Sequence, residues 1–308
     1  PQAALVALNR FGLGARGGGA GDFASAASGP RDFVKAELSR RNVALLDVPG
    51  LQATPALALA VFDYQAEVKQ QRKAAAQTLA MASDGKPGEN GERASKAGNI
   101  MQPLSTVAGK PPPKQSPNVI QQTFHAEALA RVQRATMAES GIVERLVAFW
   151  SNHFCISANK GQLDRIWAGS FEREVIRPHV LGRFSDMLLA VERHPAMLFC
   201  LDNQQSVGPN SRAGRNRRRG LNENLARELM ELHTLGVGNG YTQQDVTTLA
   251  AILTGWTFAG RAGRLGEPGT FIFNANAHEP GPQKLLGKVY DDTGVTQGET
   301  ALAENARR

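Results

Sequence analysis

The sequence predicts a predominantly all-α protein, an irregular multi-helix globular domain with long loops and at most a short β-hairpin near the C-terminal end. Apolar residues recur at intervals of three and four over most of the chain after residue 119, and helix-capping residues stand at several segment ends. Hydrophobic residues make up 42% of the 308 residues and charged residues 20%, as is typical of folded chains. We therefore expect one helical domain over residues 1–308.

Residues 55–81 form the first clearly helical segment. Thr54 is suited to the N-cap position, and Pro55 is suited to the first helical position. Apolar side chains follow at helical spacing, at Leu57, Val61, Tyr64 and Val68. Residues 82–118 are rich in Gly, Pro, Ser, Lys and Asn and poor in large apolar residues, which predicts a disordered or loop insertion.

Further helices are predicted over residues 119–138, 141–154, 163–176, 180–194, 221–235 and 242–257. Pro195 marks one boundary, Gly236 is suited to end a helix, and Thr242 with Asp245 resembles a capping box. Residues 270–273 predict a short strand that would pair near residues 285–289. Residues 298–308 begin a helical pattern that stops without a cap, which indicates a domain truncated at its C-terminal side.

The net charge of +7 is concentrated in one Gly- and Asn-rich stretch with Arg212, Arg215, Arg217, Arg218 and Arg219. This stretch either binds an anion, nucleic acid included, or is an exposed flexible loop. Elsewhere basic and acidic residues nearly balance, which argues against a general nucleic-acid-binding surface. No apolar run in the sequence approaches the roughly 18–20 residues that a membrane-spanning helix needs.

The chain has two cysteines, Cys155 and Cys200, so a disulfide framework is excluded as the main source of stability at this length. They are either two free, buried thiols or the two halves of one bridge. Neither has the spacing of a metal-binding cysteine pair.

The segment NENLARELMELHTLG, residues 222–236, is called the motif segment below. On an ideal α-helix its Leu225, Leu229 and Leu232 form an apolar stripe, with His233 at the edge. A separate polar arc contains Asn224, Arg227, Glu228 and Glu231. This arc is either an ordinary solvated helix face or a site that holds a metal, a cationic ligand or another helix.

His153 lies on the apolar face of the helix predicted over residues 141–154. It is either a core residue with one satisfied hydrogen bond or, if a carboxylate meets it, an acid–base group. Glu228 and Glu231 are the candidate carboxylates.

Two other places carry polar residues with a functional and a structural interpretation. Asp202 and Asn203 follow the end of an apolar helix, where such residues normally cap or turn the chain. His278, followed by a glutamate in an irregular region, is a weak signal for metal binding.

Residues 222–256 resemble the signature of a bacterial family known as domain of unknown function 1800. Matching blocks occur in the same order, ALNRFGLG at 7–14, FWSNHF at 149–154, HPAMLFCLDN at 194–203 and HEPGPQKLLG at 278–287. The resemblance favours a function for the motif from Asn222 to His233. With the other polar candidates, the candidate functional cluster consists of Asn222, Glu223, Asn224, Arg227, Glu228, Glu231, His233, His153, Asp202 and Asn203. The resemblance also implies His-containing C-terminal helices that this sequence does not reach.

Family members are often exported and often encoded beside a sulfatase-like family, although no export signal precedes the family-like opening here. The resemblance therefore implies a two-protein, envelope-associated system of bacteria. Because the sequence contains no recognised catalytic constellation, the first hypothesis is a helical binding and assembly component of such a system. In this hypothesis the polar arc is a buried hydrogen-bond network that stabilises the fold. The sequence itself assigns no compartment.

The alternative hypothesis is a metal-assisted hydrolase or oxidase. Its divalent metal, whether iron, manganese or zinc, would be held by Glu228 and Glu231 with His153 or His278. A remote alternative is anion or nucleic-acid binding through Arg215, Arg217, Arg218 and Arg219.

Overall fold

A computed structural model describes residues 1–16, 21–83, 118–215 and 220–308, and it confirms the predominantly α-helical fold class. The helices are α1 (Gln2–Val6), α2 (Asp22–Ser28), α3 (Pro30–Leu38), α4 (Thr54–Ser83), α5 (Val119–Met137), α6 (Ile142–His153), α7 (Gln162–Phe171), α8 (Arg177–His179), α9 (Phe184–Arg193), α10 (Pro195–Cys200), α11 (Asn224–Glu228), α12 (Gln243–Ile252) and α13 (Val295–Asn305). In these ranges, no helix combines the length and apolar character needed to cross a bilayer.

In the part of the chain that the structure describes, three π turns extend these helices. In a π turn each N–H bonds the carbonyl five residues earlier. Residues Ala7–Phe11 continue α1, residues Glu172–Ile176 join α7 to α8, and residues Leu229–Thr234 continue α11. The spacing of apolar residues did not predict any of them, because a single extra residue in one turn barely changes a helical pattern.

Within the described residues, the β structure consists of two short antiparallel pairs. Strand β1 (Trp256–Phe258) pairs with β2 (Phe271–Phe273), and β3 (Gln283–Leu285) pairs with β4 (Lys288–Tyr290). The predicted pairing of residues 270–273 with 285–289 is therefore wrong. Helix α12 ends at Ile252, five residues before the predicted end, and this frees Trp256–Phe258 to form the partner strand.

Most predicted helices are present, with shifted ends. Thr54 is the first residue of α4 rather than its N-cap, and its backbone N–H is bound by the Glu174 carboxylate at 2.9 Å. Helix α9 starts at Phe184 instead of residue 180. The capping box at the start of α12 is present, and Gly236 has the positive φ of 87° expected after a helix end. Residues 84–117 of the predicted insertion lie outside the described residues.

The main core forms around α7, which packs against α4, α5 and α10. Trp167 of α7 is completely buried, and its indole N–H donates to the Thr54 carbonyl at 3.1 Å. A second, small apolar cluster near the N-terminus consists of Ala4, Ala7, Leu8 and Ala26. The Glu37 carboxylate of α3 connects this part to the rest, because it accepts the backbone N–H groups of Gly141 and Val143 at the start of α6.

A buried ion network ties the central helices together. The Arg177 guanidinium is fully buried and makes two 2.9 Å hydrogen bonds to the Glu144 carboxylate of α6. It also donates to Glu172 and to the Ala44 carbonyl, both at 2.9 Å. Arg131 of α5 pairs with the other oxygen of Glu172 at 2.9 Å. Both carboxylates and the buried guanidinium therefore have partners.

We expect the substitution Arg177→Met to lower the free energy of unfolding by about 3–5 kcal/mol, since it leaves two buried carboxylates without their shared cation. Urea unfolding followed by circular dichroism measures the change. Arg40→Met is the control, because the Arg40–Glu139 pair is exposed and is expected to contribute less than about 1 kcal/mol. Equal effects of the two substitutions would contradict this role of Arg177.

Candidate functional site

The π turn at Leu229–Thr234 changes which side chains of the motif segment enter the core. After this turn the residues are rotated relative to an ideal α-helix, because one extra residue is accommodated. Met230 is fully buried and His233 is only 6% exposed, whereas Leu232 is 57% exposed. The predicted apolar stripe is therefore wrong at Leu232, and His233 lies in the core instead of at the edge.

His233 forms a buried carboxylate–imidazole pair with Glu192 of α9. Its Nδ1 lies 2.7 Å from Glu192 Oε1, and the Glu192 side chain has no exposed surface. Burial lowers the pKa of His233, but the charge and hydrogen bond of Glu192, helped by the charge of Glu228, raise it overall above the usual value. Glu192 Oε2 is buried without a hydrogen-bond partner.

His153, the last residue of α6, lies beside this pair. Its Nε2 is 3.3 Å from the His233 carbonyl oxygen, and the two imidazole centroids are 6.2 Å apart. Burial lowers the pKa of His153, and so does the charge of His233, while the hydrogen bond to the carbonyl opposes them. A neutral His153 therefore stands next to a histidine that favours protonation.

The carboxylate that reaches His233 is Glu192, which sequence reasoning missed. It proposed Glu228 or Glu231 as the partner of His153. A signal for Glu192 exists, since it follows the buried Leu188 by four residues and so continues the apolar face of α9. His233 and Glu192 are called the Glu192–His233 pair below.

The other acidic residues of the motif segment form a ladder at the surface between α11 and α12. Arg227 pairs with Glu223 at 3.0 Å and with Glu231 at 3.3 Å. Thr247 of α12 donates to Glu223 at 2.7 Å, and hydrogen bonds from Thr247 and Gln243 hold the pKa of Glu223 below its usual value. Glu223 and Arg227 thus form a contact between α11 with its flanking residue and α12.

The three polar residues at the junction before the motif segment make different contacts. They are Asn222, Asp202 and Asn203. Asn222 Nδ2 donates to the Asp202 carbonyl at 3.4 Å, and its Oδ1 accepts the Asn224 backbone N–H at 2.9 Å. Asn203 is buried, and its amide donates to the carbonyls of Leu253 at 3.1 Å and Trp256 at 2.9 Å. Asn203 therefore positions the chain between α12 and β1.

His278 lies in a separate cluster. Its Nδ1 is 2.9 Å from the Thr254 carbonyl, and its Nε2 is 3.6 Å from Asp292. The following residue, Glu279, accepts the backbone N–H and the side-chain amide of Asn210, at 2.9 and 2.5 Å. Glu279 thereby anchors the start of the arginine-rich loop.

Arg215 of this loop donates to the Asn210 carbonyl at 3.1 Å. Arg217, Arg218 and Arg219 lie outside the described residues. Anion binding by this loop therefore stays a prediction.

The four proposed metal ligands do not assemble into one group. Glu231 pairs with Arg227, His153 contacts His233, and His278 faces Thr254 and Asp292. In the part of the chain that the structure describes, no three His, Cys, Asp or Glu side chains are arranged to hold a metal ion. A metal held by these four residues stays a prediction.

An apolar groove of about 870 Å³ lies on the N-terminal part, between α1 with its π turn, α3 and the start of α6. Its apolar lining includes Val6, Phe11, Val34 and Ile142. Val6 and Phe11 are 43% and 47% exposed. Arg31 and Lys35 of α3 also line it, and neither has an ion-pair partner among the described residues.

A family model described as "Protein of unknown function (DUF1800)" matches residues 6–307, which confirms the resemblance seen in the motifs. The search of curated proteins gives no match. The search of solved structures gives none either.

We expect Glu192→Gln to remove the raised pKa of His233. With a raised folded-state pKa, protonated His233 stabilises the protein below about pH 6.5, and this contribution is lost as the pH rises through the folded-state pKa. The variant should therefore be less stable by about 3 kcal/mol at pH 5.5 and much closer to wild type at pH 8.

Urea unfolding over this pH range, with an NMR titration of the His233 ring protons, measures both effects. Glu231→Gln is the matched control, since Glu231 pairs with Arg227 at the surface. An unchanged pKa of His233 in Glu192→Gln would contradict the assignment of Glu192 as its partner.

Proposed function

This chain belongs to that family of proteins of unknown function, and we propose that it is a binding and assembly component that works with a second protein of the bacterial cell envelope. The observation that carries the proposal is the exposed apolar groove at α1, α3 and α6. Exposed apolar surface of this kind is unfavourable in water unless a partner covers it, and it commonly marks an interaction site.

The groove suits an amphipathic helix of the partner. Its shape is set by three helices of this chain, and side chains such as Val6 and Phe11 can receive the apolar face of a docked helix. The alanines of α1 and its π turn, Ala4 and Ala7, are buried against α2 and α3, so this wall is supported from behind. Because of this support, the groove is already formed before a partner helix binds to it.

The charge at the groove selects a partner helix with acidic residues. Arg31 and Lys35 are four residues apart on α3, one helical turn, and so lie on the same side as Val34. Complementary charge speeds association and fixes orientation more than it adds affinity. The proposed partner is the sulfatase-like protein that the family resemblance associates with this family.

In this function the polar residues of the motif segment stabilise the fold on which the groove lies. The Glu192–His233 pair is buried, and the Glu223–Arg227–Glu231 ladder joins α11 to α12. The His233–Glu192 contact and the ladder therefore connect the motif segment to α9 and to α12.

We expect Val6→Asp to weaken binding of the sulfatase-like protein from the same genome at least tenfold, about 1.4 kcal/mol, by placing a charge in the groove. Lys35→Glu should slow association at low ionic strength. Leu129→Asp is the matched control, because Leu129 is also an exposed apolar residue of a helix and lies outside the groove lining.

Biolayer interferometry with the purified proteins gives both the affinity and the association rate. Equal affinities of Val6→Asp and Leu129→Asp, or the lack of any complex with the wild-type chain, would contradict the proposal.

A second candidate function is hydrolysis with a Glu/His site, and the Glu192–His233 pair is the observation that favours it. A buried carboxylate that orients an imidazole and raises its pKa is an arrangement used in acid–base catalysis. The hydrogen bond of His233 to Glu192 uses Nδ1, which leaves Nε2 as the ring nitrogen that would exchange a proton in such a reaction. The π turn that places His233 is also a feature that recurs at functional sites.

We expect a hydrolytic activity of this kind to fall at least about 100-fold in His233→Gln. A panel of ester, sulfate-ester and phosphate-ester substrates, assayed with and without a chelator, measures it. Elemental analysis of the wild-type protein and of Glu228→Ala tests the metal-assisted form, which requires about one metal ion per chain and its loss in the variant. Activity that is equal in wild type and His233→Gln would exclude His233 as the acid–base group.

A further inference from the structure

The side chain of His278 is held in one orientation in the loop between β2 and β3. It is buried, and its ring packs against the Phe273 ring of β2, with the two centroids 5.1 Å apart. His278 Nδ1 lies 2.9 Å from the Thr254 carbonyl oxygen, which can only accept a hydrogen bond. Nδ1 therefore carries a proton, and in the neutral imidazole the lone pair is on Nε2.

The Nε2 atom of His278 faces the carboxylate of Asp292, in the turn between β4 and α13. It is buried without a hydrogen-bond partner and lies 3.6 Å from Asp292 Oδ1. This separation is too long for a hydrogen bond. The lone pair of a neutral imidazole and a carboxylate oxygen are both acceptors, so they do not stabilise each other directly. A positive ion bound between the two atoms would satisfy both.

The separation of 3.6 Å between His278 Nε2 and Asp292 Oδ1 is close to that of two ligands on one metal ion. Zinc binds histidine nitrogen and carboxylate oxygen at about 2.0–2.2 Å, and tetrahedral geometry places two such ligands about 3.4 Å apart. Octahedral geometry with the short bonds of magnesium places neighbouring ligands about 2.9 Å apart. The observed separation is therefore nearer to the tetrahedral value, which zinc prefers.

Both side chains have the supporting contacts that metal ligands usually have. The ring of His278 donates its other N–H to a backbone carbonyl. The carboxylate of Asp292 is oriented by Gly281, whose backbone N–H donates to Oδ2 at 2.9 Å. Gln297 of α13 holds the same region, since its amide donates to the carbonyls of Tyr290 at 3.0 Å and Gly281 at 3.3 Å. The two side chains are thus positioned before an ion binds.

We propose that His278 and Asp292 bind a zinc ion through Nε2 and Oδ1. No third His, Cys, Asp or Glu side chain of the described residues joins them, so water completes the coordination. The side chain of Asp292 is 37% exposed, which leaves the site open to solvent. The ion links the loop before β3 to the turn after β4. The site is independent of the proposed docking function, since neither residue lines the groove.

This site differs from the metal site that the sequence suggests, in which His278 shares an ion with Glu228 and Glu231. The carboxylate that faces His278 is Asp292, whereas Glu231 pairs with Arg227. Zinc binding at the His278–Asp292 site should therefore be unchanged in Glu228→Ala. The metal-assisted form of the second candidate function requires loss of the ion in that variant, so one measurement separates the two.

The test is isothermal titration calorimetry of the full-length chain with zinc chloride, after bound metal has been removed with a chelator. We expect one zinc ion per chain, bound at least about tenfold more weakly by His278→Gln and by Asp292→Asn. Asp291→Asn is the matched control, because Asp291 is an exposed carboxylate next to Asp292. His125→Gln is the control for an exposed imidazole. Both controls should bind zinc as the wild type does.

The cysteines require a further control, because a thiolate also binds zinc. Both are free thiols in this structure, and Cys155 is exposed, so the prediction that both are buried is wrong for Cys155. Cys155→Ser should bind zinc with the wild-type affinity. Loss of binding in Cys155→Ser would assign the ion to the thiol instead of to His278 and Asp292.

The melting temperature gives a second readout. Saturating zinc should raise the melting temperature of the wild type and of Asp291→Asn by about 2 °C or more, since a ligand bound only to the folded state stabilises it. Asp292→Asn should fold, because an asparagine oxygen can still accept the Gly281 N–H, and should show no such rise. No binding to the wild-type chain, equal affinities of Asp292→Asn and Asp291→Asn, or loss of the ion in Glu228→Ala would each overturn the proposal.

Discussion

The arrangement of the central helices depends on the fully buried Arg177, whose charge must be balanced by Glu144 and Glu172. A buried guanidinium without partners would destabilise the protein strongly, so the helices that carry both carboxylates must meet at this point. The π turn at Glu172–Ile176 makes the contact with Glu172 possible. The two residues are five positions apart, a separation that a π turn brings onto one side and a regular α-helix does not. The same turn presents Glu174 to the start of α4.

A π turn also makes a second buried pair possible, in the motif segment. Its π turn directs Met230 and His233 inward, where His233 meets Glu192 of α9. In both places one extra residue in a helical turn allows a charged side chain to reach a partner inside the core. The polar residues of the motif segment are therefore divided between a helix contact at the surface and a buried carboxylate–imidazole pair. In the buried pair, His233 uses Nδ1 for Glu192.

A groove on the surface is not explained by these interior contacts. The groove of α1, α3 and α6 is apolar, and its basic residues Arg31 and Lys35 have no ion-pair partner among the described residues. The proposed docking of a partner rests on this surface.

Local physical chemistry let the sequence by itself determine the helical fold class, most helix positions, the capping box at Thr242 and the family. Helical spacing, capping and turn residues act between neighbours along the chain, so they can be seen without the fold. Only the tertiary structure decided the pairing of β1 with β2, the burial of His233 instead of Leu232 and the choice of Glu192 as its partner. Each of these depends on a contact between distant segments or on a single π turn. Neither changes the spacing of apolar residues enough to be seen in the sequence, because burial and electrostatic pairing depend on which distant segments meet.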